Sequence, residues 1–62
     1  MNMRGPALAF APGQLVIAPD RPDWGLGTVQ SAIGNRVTVM FEEAGKVMMD
    51  ITHSKLEPAP NS

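Results

Sequence analysis

The chain has no cysteine and no tyrosine, and it holds only three aromatic residues, one tryptophan and two phenylalanines. Without cysteine, neither a disulfide nor a thiolate metal site can staple the fold, and nothing in the composition points to an oxidising compartment. Basic residues are also scarce. Five Lys and Arg stand against six Asp and Glu, for a net charge of -1, and the five are scattered. A protein whose main task is gripping phosphate backbones draws its affinity from clustered cations, so this balance tells against nucleic acid as the main partner. The longest apolar stretch near the start, residues 7 to 11, is too short for a signal-peptide core or a membrane span. A cytoplasmic location is the expectation.

What is present is a small but sufficient apolar inventory. Hydrophobic residues make up 44% of the 62-residue chain and charged residues 18%, which is too apolar for the disorder signature. A chain of this length forms one domain and buries only about 60% of its unfolded surface, so its stability is thin. Homo-oligomerisation is a common remedy for such a domain. The ends, residues 1–11 and 58–62 ("PAPNS"), are rich in Pro, Gly and small side chains and read as tails around a domain over 12–57.

Between the tails, apolar residues alternate by two and never recur at helical spacing, so the fold class is all-β. Strands are predicted over 14–18, launched by Pro12-Gly13 and halted by Pro19; from about Trp24 to Ile33; over 36–42; over 46–51; and, shorter, over 54–57. Five short antiparallel strands in so few residues suggest a small curled barrel. In the third strand Val37, Val39 and Phe41 share the inward face, and Thr38, Met40 and Glu42 the outward one. A loop of Glu43, Ala44 and Gly45 would pair Glu42 with Lys46, Phe41 with Val47, Val39 with Met49 and Val37 with Ile51, and would set Met40 beside Met48 outside. For the preceding hairpin the Gly34-Asn35 pair signals a two-residue turn joining Ile33 to Arg36. That register would send Val29 and Ile33 outward. Burial therefore favours a three-residue loop over 34–36, or a bulge, pairing Ile33 with Val37, Ser31 with Val39 and Val29 with Phe41.

Motifs for chemistry are weak. "GLG" at 25–27 lacks the third glycine and the following helix of a dinucleotide site, and "AGK" at 44–46 lacks both the upstream glycine and the hydroxyl residue of a phosphate loop. His53 has no assembled acid and nucleophile beside it, and the carboxylates show no metal-loop spacing. No enzyme activity, cofactor or metal is expected. Pro19-x-x-Pro22 fits a rigid bend better than a polyproline ligand. Trp24, flanked by Pro22, Gly25 and Gly27, reads as a ring mostly buried at one end of the sheet with an edge exposed beside Arg21. Three rings, one of them core, are too few for a methyl-lysine cage. Met40 and Met48, with Gln30 alongside, form a candidate adaptable apolar patch for a protein partner.

The segment "PGQLVIAPDRPDWGLGTVQSAIGNRVTVMFEEAGKVMMDI" resembles a bacterial family of very short proteins of unknown function. Its pattern is Pro-Gly, Val, a Pro turn, Trp-Gly-x-Gly-x-Val, Val-x-Val-x-Phe and Gly-Lys, and it covers residues 12 to about 57. More distantly it is similar to the Tudor or SH3-like segment that closes UvrD-type repair helicases and to the RNA-polymerase-interacting domain of CarD-like transcription factors. Gly13, Val16, Trp24, Gly25, Gly27, Val29, Phe41, Gly45 and Lys46 fill the shared positions. Ala18 stands where such segments often carry histidine. The resemblance implies an SH3-like or Tudor-like five-stranded barrel that engages protein, notably RNA polymerase or repair proteins. The expected function is thus a non-enzymatic protein-binding module, with Arg21, Trp24, Gln30, Met40 and Met48 as contact residues. The alternatives are a nucleic-acid-binding barrel and a structural homo-oligomeric subunit.

Overall fold

The structure, a computed structural model, describes residues 10–60. Five strands follow in order: β1 (Leu15–Ile17), β2 (Gly27–Ile33), β3 (Arg36–Phe41), β4 (Gly45–Asp50) and β5 (Glu57–Pro58). They make one antiparallel sheet in the order β4-β3-β2-β1-β5. The two end strands have no ladder between them, and the sheet is not closed into a barrel. Among the described residues, helix is limited to one 3-10 turn, Pro22–Trp24, and no helix is long and apolar enough to cross a membrane. Trp24, expected to open the second strand, therefore lies in that turn. A proline at its first position presets φ and sacrifices no needed N–H.

Alternation in β3 and β4 puts one face of the sheet into the core. Val37, Val39 and Phe41 are buried, as is Met49, with Val47 and Ile51 half-buried against them. Val16, Ala18, Val29 and Leu56 complete this apolar cluster, and Phe10 joins it. Of the tail expected over 1–11, residues 1–9 lie outside the described residues, and Phe10 is core. The tail expected from residue 58 likewise begins inside the fold. Pro58 pairs with Val16, and Ala59 is buried.

Both hairpin registers differ from the expected ones. Between β3 and β4, Phe41 pairs with Gly45, Val39 with Val47 and Val37 with Met49. The loop is therefore residues 42–44, and Gly45, at φ 76°, opens β4 instead of closing the loop. The slip is two residues, so every side chain keeps its expected face. Between β2 and β3 the two-residue turn does form: Ile33 pairs with Arg36, Ala32 with Val37 and Ser31 with Thr38. The bulge expected as the alternative to a three-residue loop is also present, between Val29 and Ser31; it resets the ladder, and Val29 pairs with Val39, not with Phe41. The extra residue returns Val29 to the core, while Ile33 is left 77% exposed.

Gly27 is required by proximity. A Cβ there would stand 2.5 Å from Val39 Cγ1 and 2.8 Å from the Phe41 ring, closer than atoms pack.

Candidate interaction surfaces

The segment between β1 and β2 is a chain of tight turns. Arg21 N–H donates to Ala18 O at 2.9 Å, Trp24 N–H to Arg21 O at 3.0 Å, and Gly25 N–H to Pro22 O at 3.3 Å. The Pro19-to-Pro22 stretch is thus a hydrogen-bonded bend. It delivers Trp24 half-buried onto Phe41, with ring centroids 5.1 Å apart and planes tilted by 56°. Arg21 sets its guanidinium carbon 5.6 Å from the Trp24 ring centroid, within cation–π range. The β3–β4 loop clamps the segment from the other side. Glu43 N–H donates to Trp24 O and Glu42 N–H to Leu26 O, each at 2.9 Å. Gly25, at φ 81° with Glu42 Cβ and Glu43 Cγ only 3.3 Å from where its own Cβ would sit, lets the two loops meet.

At the end of β4, Asp50 organises the next turn. Its Oδ1 accepts from Thr52 N–H at 2.9 Å and from Thr52 Oγ1–H at 2.6 Å. Its carbonyl accepts from His53 N–H at 3.0 Å and Ser54 N–H at 2.9 Å. The side-chain bond from Thr52 holds the Asp50 carboxyl below the usual carboxylate range, helped by the Thr52 backbone and by the nearby charges of His53 and Arg36.

These two turns enclose a cleft of about 260 Å³. It is lined by buried Ala18 and Met49, half-buried Trp24, and exposed Asp20, Arg21, His53, Ser54 and Lys55. Such a site joins the Arg21 and Lys55 cations and the Asp20 carboxylate to an aromatic face and to apolar Ala18 and Met49. It suits an apolar group that carries or adjoins negative charge.

Of the contact residues expected from sequence, Arg21 and Trp24 come together here. The others lie on the outer face. Met40 is 39% and Met48 64% exposed, but they are diagonal neighbours and not opposed, because Met40 pairs with Lys46 and Met48 with Thr38. Gln30 sits in the bulge, and Thr28 instead of Gln30 faces Met40. The sequence reading missed His53, Ser54 and Lys55 as cleft residues. No local signal marks them, since their position depends on the path from β4 to β5.

No curated protein and no solved structure matches the chain. A family model described as a protein of unknown function (DUF3553) matches residues 10–59, a span that begins and ends on buried Phe10 and Ala59. By that match over most of its length, the chain belongs to the DUF3553 family.

Proposed function

We propose that this chain is a non-enzymatic protein-binding module that receives an acidic, partly apolar segment of its partner in the Arg21–Trp24 cleft. One observation carries the reading: the single tryptophan is only half-buried, beneath Arg21, in a cleft that Lys55 also lines. A ring needed for the core alone has no use for that cationic surround. We read the sheet as an SH3-like or Tudor-like barrel left open at one seam, a reading supported by β1 lying between β5 and β2. The absence of cysteine favours work in the cytoplasm. The resemblance to UvrD-type and CarD-like segments makes RNA polymerase and repair proteins the first partners to try.

The test is partner capture by the immobilised chain, in three folded forms. Arg21→Glu with Lys55→Glu should lose the partner, while Met40→Glu with Met48→Glu should keep it. The reverse pattern moves the contact to the outer face and ends the cleft reading.

The same cluster favours a second reading, a single strand of nucleic acid stacking on Trp24. Oligonucleotide affinity that falls steeply with salt would support it, and no binding at low salt would remove it.

A further inference from the structure

A second hollow adjoins the cleft. Its volume is about 200 Å³, and Ile17, Ala18, Pro19, Arg21, Pro22 and Gly25 line it. Ala18 and Arg21 line the cleft as well, so the two meet just past the end of β1. Their chemistry differs. The cleft adds Asp20, His53 and Lys55 to its aromatic ring, whereas in the second hollow Arg21 is the one charged residue and the other five carry no polar side chain.

The hollow is held in shape by its backbone. Pro19 and Pro22 have fixed φ, and between them Arg21 N–H donates to Ala18 O at 2.9 Å and Gly25 N–H to Pro22 O at 3.3 Å. Ile17 is anchored in the sheet by its pairing with Glu57. A chain tied at so many points does not collapse to cover an apolar surface. Pro19, Arg21 and Pro22 are exposed, so the hollow is open to solvent. A preformed apolar recess with one cation at its border is suited to an apolar group that brings a carboxylate with it.

We propose that this hollow is a second subsite of the Arg21–Trp24 cleft and takes one large apolar side chain of the same partner segment, whose acidic group meets Arg21. The inference rests on the cleft reading and narrows it. Because Arg21 lines both hollows, its stem can lie along the apolar group while its head takes the carboxylate. The partner then presents the two groups on one residue or on adjacent ones. A segment with the charge alone leaves the hollow in water, and a segment with the apolar group alone leaves Arg21 unanswered.

N-acetyl-L-leucine holds both groups in one small molecule and is the probe. N-acetylglycine keeps the carboxylate without the side chain, and N-acetyl-leucinamide keeps the side chain without the carboxylate. Each is titrated into the whole isotope-labelled chain and followed by nuclear magnetic resonance. N-acetyl-L-leucine should shift the amide signals of Ile17 and Gly25 together with that of Trp24, and should bind about tenfold more tightly than either control. Ile17→Thr keeps a β-branched residue in the strand but puts a hydroxyl in the hollow, and should erase the advantage over N-acetylglycine. The three-probe comparison on the unmutated chain decides the matter even if that variant unfolds. Equal affinity for N-acetyl-L-leucine and N-acetylglycine, with shifts confined to Trp24, His53 and Lys55, overturns the subsite and leaves the cleft reading standing. Failure of the cleft reading looks different: N-acetyl-leucinamide then binds as tightly as N-acetyl-L-leucine, since no cation is engaged, and the proposal falls with it. Binding of none of the three at the highest soluble concentration overturns it as well.

Discussion

In the β3–β4 hairpin six consecutive residue pairs run without a break, whereas the β2–β3 hairpin changes register between Val29 and Ser31. Both hairpins share β3, and each has a positive-φ glycine at its turn, Gly34 at 60° within the loop and Gly45 at 76° as the first residue of β4. They differ in whether turn and burial agree. In β3–β4 the loop length and the alternation put the same residues inside. In β2–β3 the tight turn dictates a pairing that, continued, would have turned Val29 to solvent. The bulge lets both demands hold, each over its own half of the strand. A one-residue conflict between turn chemistry and burial is resolved inside the strand, where an unpaired polar residue such as Gln30 stands in water at little cost.

Four experiments probe the two hairpins. The largest effect should come from Gly27→Ala, beyond the bulge, where the added methyl meets Val39 and Phe41. Overpacking of this kind costs about 3 kcal/mol, a large share of the stability of so small a domain, and urea denaturation followed by circular dichroism would measure it. Deleting Gln30 comes next. With the turn kept, Ser31 stays opposite Thr38 and Val29 opposite Val39, so the ladder becomes continuous and no side chain changes face. The loss should be at most about 2 kcal/mol; an unfolded product would show that the bulge has a role beyond absorbing a residue. Gly34→Ala and Gly45→Ala should each cost about 1 kcal/mol. Both sites have open space for a Cβ, so only backbone strain is charged, and equal values would confirm that the hairpins differ in their strands and not in their turns.

The smallest effect at neutral pH should be that of Asp50→Asn, just past the β3–β4 ladder, because the amide oxygen still accepts from Thr52. Its signature is pH dependence. The Asp50 carboxyl is held below its ordinary range by Thr52, so its contribution to stability is present above the unfolded-state value of about 4 and is lost as pH falls through the lower folded value. Thermal melts from neutral to acid pH should therefore fall less for Asp50→Asn than for the wild type.

The inward set Val37, Val39, Phe41, Val47 and Met49 was legible because strict alternation specifies a face. It does not specify which residue lies opposite which. Loops of residues 42–44 and 43–45 are equally short and keep the same faces, and the opposite charges of Glu42 and Lys46 favour the wrong one. The two hairpins followed from short loops, but the pairing of β5 with β1 was not legible, and Phe10 and Ala59 could not be found, since a single apolar residue among prolines and small side chains carries no period. On the candidate cleft, Arg21 and Trp24 were legible because one local turn joins them. The other polar lining residues, His53 to Lys55, are brought in by tertiary structure that no neighbouring residue encodes.

Trp24 is the chain's only tryptophan, and tyrosine is absent. Near-ultraviolet absorption and intrinsic emission therefore arise almost wholly from one indole, in van der Waals reach of Phe41 and beneath Arg21. The protein carries its own optical probe at the mouth of the cleft, and any ligand that displaces the guanidinium or dries the ring will announce itself without a label.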